Sequence, residues 1–164
     1  MRIAVSDLLF PGFRKFGVRP LSTEYGIEFF YEFGHDYYWD EETAAWGNRE
    51  FSIHGPCVAV DLADKDNLNY LPAFEATFKY AQKIKSQFVV VHTNECLPAD
   101  LKAGQELVIS RLAELLDMAK AYGVTLVIEN VGLRTKGNVL FTLEEYYALF
   151  ERFPQAMSLI DTGH

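Results

Sequence analysis

The chain has only two cysteines, Cys57 and Cys96, among its 164 residues, too few for the disulfide framework of a small secreted domain. The opening stretch, residues 1–13, carries one basic residue and a short apolar run broken by Asp7. It reads as a strand and not as a signal peptide. Both thiols are therefore expected to be reduced and the protein cytoplasmic. No apolar run approaches the about 20 residues of a membrane span, so no membrane partner is expected. Basic residues are also scarce: 15 Lys and Arg stand against 23 Asp and Glu, a formal net charge of −8. That balance opposes the basic surface non-specific nucleic-acid binding needs, and a nucleic-acid partner is not expected. Sequence repeats and low-complexity stretches are missing as well.

What is present is ordinary globular composition, 49% hydrophobic and 23% charged, in a length that suits one sizeable core. Residues 1–164 are read as a single domain. From about residue 50 the pattern is regular. Short apolar runs, Phe51 to His54, Phe88 to His92, Val124 to Glu129 and Ala156 to Asp161, alternate with stretches whose apolar positions recur every three or four residues, as one face of a helix requires. The first such stretch, 69–85, has Asn69 as its expected N-cap and Pro72 in its first turn. The second ends at Lys120 and Gly123, and the third opens on a Thr142–Glu145 capping box and stops before Pro154. Strands apolar on both faces, alternating with amphipathic helices, predict a parallel sheet covered by helices.

The first half is less regular. Arg2 to Ser6 and Ile27 to Tyr31 read as the first two strands. Phe33 to Glu50, rich in Tyr, Trp and Asp, shows neither period and reads as a long loop. Phe10, Phe13, Tyr37, Tyr38, Trp39 and Trp46 form either an apolar wall over a ligand or packing against the sheet or a partner subunit.

The chemistry lies where polar residues fall. His54, His92, Glu129 and Asp161 each sit at the C-terminal end of an expected strand, 38, 37 and 32 residues apart, one β/α step each time. In a (β/α)8 barrel those ends meet at one mouth, where such proteins keep their sites. Two imidazoles and two carboxylates brought to one rim suit a divalent metal. A carboxylate directly after the apolar run ending at Ile128 is costly to bury unpaired. Neutralising Glu129 as Gln is therefore expected to spare or raise the stability of the metal-free protein. Cys96, four residues after His92, reads as a loop thiol in preference to a ligand.

Ser52-Ile53-His54-Gly55-Pro56, Val89-Val90-Val91-His92-Thr93-Asn94, Val127-Ile128-Glu129-Asn130 and Leu159-Ile160-Asp161-Thr162-Gly163-His164 resemble the signature positions of the xylose-isomerase-like superfamily. That superfamily includes sugar-phosphate isomerases, ketose 3-epimerases and the endonuclease IV-type apurinic endonucleases. The resemblance is good over residues 50–164 and rests on strand placement alone before that. It implies an α/β fold of the TIM (β/α)8-barrel type with about six β/α units present and the C-terminal units missing, because the usual seventh-strand His and eighth-strand Glu ligands find no counterpart.

Carried over by position, the resemblance implies Glu129 and Asp161 as metal ligands, with Mn2+, Zn2+ or Mg2+ as the metal. It gives Glu129 a second task as the group that exchanges the substrate proton, and His164 a catalytic task in orienting substrate oxygens. His54, His92 and His164 line the substrate site, and Glu28 matches a second-strand carboxylate that serves either the site or an ion pair. The implied function is a metal-dependent isomerase or epimerase acting on a small sugar or sugar-like carbonyl compound through an enediolate. The alternatives are a zinc-dependent apurinic-endonuclease-like phosphodiesterase and a non-catalytic barrel remnant. Unpaired first and sixth strands lead to the expectation of a homo-oligomer.

Overall fold

The computed structural model of the protein describes residues 3–7, 18–32, 35–132 and 138–162. Six strands, β1 (Ala4–Ser6), β2 (Gly26–Phe30), β3 (Phe51–His54), β4 (Val89–His92), β5 (Leu126–Glu129) and β6 (Met157–Leu159), form one parallel sheet in sequence order. Helices α1 (Asp36–Trp46), α2 (Tyr70–Ile84), α3 (Leu101–Tyr122) and α4 (Leu143–Arg152) alternate with the strands from β2 onward. This is the wall of a TIM-type barrel, six units long. Strand boundaries fall within two residues of those read from the sequence. Phe10, Phe13 and His164 lie outside the described residues.

Side chains alternate across a strand, so the sheet has two faces. One carries Ile27, Phe29, Ile53, Val89, Val91, Leu126 and Ile128, which form the core together with Phe74 and Phe78 of α2, Leu112 and Leu115 of α3 and Leu149 of α4. The other face is set by the register Phe30↔His54↔Val90↔Val127, followed two residues further on by His92↔Glu129↔Leu159. The strand-end residues thus project on the side away from the helices. A slip of one residue would turn them into the core.

The segment 33–50 is a correction to the sequence reading: it holds helix α1 and not a long loop. Trp39, Glu42 and Trp46, spaced three and four apart, form its buried face. Both indoles pack on Phe29, at ring-centroid distances of 4.5 and 5.6 Å, so they belong to the core and not to a wall over a ligand. Tyr37 is 74% exposed. Glu42 is buried because Arg19 meets it with two hydrogen bonds, at 2.9 and 3.1 Å. The helix ends at Gly47, whose φ of 77° suits a residue without a side chain.

The other helices follow the sequence signals with one exception. Asn69 precedes α2 in helical backbone and its side chain makes no capping hydrogen bond. Helix α3 starts on an unforeseen cap, Asp100, which accepts from the Ala103 N–H at 3.1 Å, and it stops at Gly123 with φ 68°. In α4 the capping box is complete: the Glu145 N–H donates to Thr142 Oγ1 at 3.2 Å, and the Thr142 N–H donates to Glu145 Oε2 at 2.8 Å. Among the described residues no helix is long and apolar enough to cross a membrane.

Candidate active site

His54, His92 and Glu129 are the last residues of β3, β4 and β5, and the register above brings them together. His54 Nε2 lies 3.0 Å from His92 Nε2, and Glu129 Oε2 lies 3.6 Å from the first and 3.3 Å from the second. Gly55 fixes the end of β3, since a Cβ there would stand 2.5 Å from the Val90 carbonyl oxygen and 2.8 Å from the Phe74 ring. Phe30 stacks on the His54 imidazole at 4.8 Å. The Tyr146 hydroxyl of α4 reaches the Ile128 carbonyl at 2.7 Å, which anchors the strand one residue before Glu129.

The tautomers follow from the outer partners. His54 Nδ1 lies 3.0 Å from the Gly55 carbonyl oxygen, which only accepts, so Nδ1 carries the proton. His92 Nδ1 lies 2.6 Å from Glu95 Oε1 and donates to that carboxylate. Neutral rings therefore aim two Nε2 lone pairs and a carboxylate at one point. Three acceptors facing each other repel unless a cation stands between them. In the metal-free protein a proton takes that part. Burial alone would lower the His92 pKa, but the Cys57 thiol, Glu129 and Glu95 outweigh it and raise the value to about 11. Burial would likewise raise Glu129, yet hydrogen bonds to His54 and His92 hold it down at about 2. The buried carboxylate is not isolated: it lies 3.3 Å from His92 Nε2 and 3.6 Å from His54 Nε2.

The three groups line a cavity of about 560 Å³ together with Ser6, Glu28, Phe30, Cys57, Leu159, Ile160, Asp161 and Thr162. Burial, and after it the charge of Glu129, raises the pKa of Glu28, while His54 and His92 act in the other direction. Beneath it Asp7 is buried, and that burial raises its pKa to about 6 even though the Phe30 N–H donates to it.

Asp161 lies two residues past β6 and lines the same cavity, but its carboxylate is not among the three converging groups. Its backbone is clamped by Asn130: the Asp161 N–H donates to Asn130 Oδ1 at 2.7 Å, and Asn130 Nδ2 donates to the Asp161 carbonyl at 3.1 Å. The Glu129-Asn130 pair thus combines a site carboxylate with a clamp on the neighbouring loop. The described residues include no geometry for His164. Cys96 is exposed, as a loop thiol should be.

Sequence reasoning missed Cys57, Glu95 and Glu32. Cys57 and Glu95 each follow a strand-end histidine by three residues, and that shared offset was the available signal. Glu32 accepts the backbone N–H groups of Cys57 and Val58 at 3.3 and 3.2 Å, a contact across 25 residues that no local pattern announces.

Nothing in the chemistry of this donor set is at odds with a divalent ion. Ligands bound at about 2.0–2.2 Å to one ion stand roughly 3.0–3.6 Å from each other in tetrahedral or octahedral geometry. The spacings of His54, His92 and Glu129 span that range. Each histidine also has its outer nitrogen tied to a carbonyl or carboxylate, the arrangement common to metal-bound imidazoles.

The family model described as "Xylose isomerase-like TIM barrel" matches residues 26–164. Among solved structures the chain is similar to a D-tagatose 3-epimerase-like protein, with 20% identity and a TM-score of 0.69 over 91% of this chain and 60% of that one. It is also similar to an AP endonuclease, family 2, from Brucella melitensis, at 17% identity and TM-score 0.72 over 98% and 67%. A third is a D-psicose 3-epimerase solved in the presence of D-fructose, at 15% identity and TM-score 0.70 over 98% and 62%. The chain thus spans 60% to 67% of these relatives' lengths. No curated protein matches in sequence. With the six-stranded parallel sheet and strand-end site in place, the match over residues 26–164 makes the chain a member of the xylose isomerase-like TIM barrel family.

Proposed function

We propose that the protein is a metal-dependent isomerase or epimerase of a small sugar or sugar-like carbonyl compound, working by proton transfer through an enediolate. The observation that carries this reading is the lining of the cavity. Glu28, Glu129, Asp161 and two imidazoles surround it, and among the described residues its lining includes neither Lys nor Arg. Such a cavity suits a neutral polyhydroxylated substrate and disfavours a polyanionic one.

His54, His92 and Glu129 are the residues that would hold Mn2+, Zn2+ or Mg2+, with Asp161 beside them in the same cavity. Bound there, a divalent ion supplies Lewis-acid stabilisation of charge developing on the substrate oxygens. Glu129 takes up the proton next to the carbonyl. Glu28, lining the same cavity, is the second carboxyl group an epimerisation needs to return a proton to the other side of the carbon. His164, by resemblance, orients the substrate oxygens. Phe30 offers an apolar face to the carbon skeleton.

A second reading, a zinc phosphodiesterase acting at abasic sites, gains from the convergence of His54 and His92 with Glu129, since these histidines match zinc ligands of the nucleases. It is opposed by the acidic cavity; the exposed lysines Lys79 and Lys83 of α2 do not line it and pair with Glu75 and Asp40. The deciding experiment incubates the protein with Mn2+ and a panel of ketoses and inososes in deuterated water. Loss of the carbon-bound proton signal of at least one substrate is expected. Absence of exchange throughout, with cleavage of an abasic duplex oligonucleotide, would replace the first reading by the second.

A further inference from the structure

Cys57, His92 and Glu95 form a second group of metal-ligating side chains, with a sulfur, a nitrogen and an oxygen all within 4.8 Å of one another. All three are half-buried, so an ion could reach them from solvent. Glu95 meets His92 at Nδ1, whereas His54 and Glu129 meet it at Nε2. Two clusters therefore share one imidazole, one at each of its nitrogens.

The second cluster is held in place by loops that are themselves tied down. Glu32 takes the N–H groups of Cys57 and Val58, which fixes the turn carrying the thiol and adds negative charge near it. Asp61 Oδ2 takes the Cys96 N–H at 2.9 Å, which fixes the turn carrying Glu95. Thr93 and Asn94 between His92 and Glu95 are buried and hydrogen-bonded to each other. A mixed sulfur, imidazole and carboxylate set prefers zinc-class ions over Mg2+, because thiolate is a soft ligand.

We propose that Cys57, His92 and Glu95 form a separate binding site for a thiophilic divalent cation of the zinc class. Binding releases two protons to solvent, that of the Cys57 thiol and the one now shared by His92 Nδ1 and Glu95, whose place the ion takes. Three protein ligands leave a fourth position for water. When both clusters are filled, His92 bridges the two ions as an imidazolate. When only this one is filled, His92 Nε2 keeps a proton.

The test is Co2+ titration of chelator-stripped protein, followed by near-ultraviolet absorption, where thiolate-to-cobalt charge transfer appears. The wild type and Cys96→Ser should develop the band, and Cys57→Ser should lose it. Glu129→Gln should keep it, because Glu129 meets His92 at Nε2 and is not one of the three ligands. Co2+ binding without the band, or a band that disappears with Cys96→Ser, overturns the proposal while leaving the proton-transfer reading intact. Conversely, a Cys57-dependent band in a protein inactive on every sugar supports this site and counts against that reading. A readout free of variants is alkylation of the wild type: Zn2+ should slow modification of Cys57, located by peptide mass spectrometry, and an unchanged rate contradicts the site.

Discussion

The two faces of one sheet obey opposite rules. On the helix side, Ile27, Phe29, Ile53, Val89 and Ile128 are fully buried in the apolar core. On the other side the same strands place Glu28, His54, His92 and Glu129 around a cavity. Packing on the first face is what holds the strands in register, and register is what brings His54, His92 and Glu129 within 3.0 to 3.6 Å of one another. The site's geometry is thus inherited from residues that take no part in its chemistry.

Substitutions chosen from each face should separate stability from activity. The largest stability effect is expected on the helix side. Phe29 lies among Trp39, Trp46, Phe51 and Tyr80 at ring distances of 4.5 to 6.3 Å. Phe29→Ala should cost about 3–5 kcal/mol by urea unfolding. A loss below about 1 kcal/mol would show that the aromatic cluster is not the core of the fold.

On the cavity side, Glu129→Gln should lower activity at least about 100-fold, about 2.7 kcal/mol of barrier, while near-ultraviolet circular dichroism stays that of the wild type. The sequence alone suggested that this change would spare or raise the stability of the metal-free protein. Two imidazoles at 3.3 and 3.6 Å reverse that expectation. Removing the charge leaves His92 with less support, so metal-free stability should fall.

The same pairing sets a pH dependence. The folded pKa of His92 is raised from 6.5 to about 11. A base whose pKa is raised on folding stabilises fully below its unfolded value and loses that contribution as pH rises through the folded one. Stability measured in the presence of a chelator should therefore decline from pH 6.5 toward about 11. His92→Gln should flatten the slope; an equal slope in the variant would assign it to other groups. Glu129 acts at the other end, with its contribution present above 4.5 and lost as pH falls toward about 2. Asp7, raised from 3.8 to about 6, opposes it by destabilising the fold as it ionises.

The smallest effect is expected at an exposed helix end. Thr142→Ala removes the α4 capping box and should cost about 1 kcal/mol with activity unchanged. A matching loss of activity would mean that α4 positions the site more tightly than the Tyr146 hydroxyl alone accounts for.

These contrasts also explain what was legible in the sequence. The apolar runs ending at His54, His92 and Glu129 are contiguous, so strand, strand end and site residue could be read together. Helix α1 could not. Its buried face includes Glu42, which reads as a solvent residue until Arg19, 23 positions away, is seen to pair with it. The adjacent aromatics Tyr37, Tyr38 and Trp39 also hide which one points inward. Asp161 sits where the strand pattern puts it and lines the cavity, but which strand-end groups converge is set by side-chain packing that the strand pattern does not contain. Cys57 and Glu95 lie on turns, which have no period to read.

In the proposed function His54, His92 and Glu129 together hold one divalent ion at the barrel mouth. Anomalous diffraction from crystals grown with Mn2+ or Zn2+ tests it most directly. A peak is expected about 2.0–2.2 Å from His54 Nε2, His92 Nε2 and a Glu129 carboxylate oxygen. An ion bound at Asp161 without either histidine, or no ion at the mouth at metal concentrations that support activity, would contradict it.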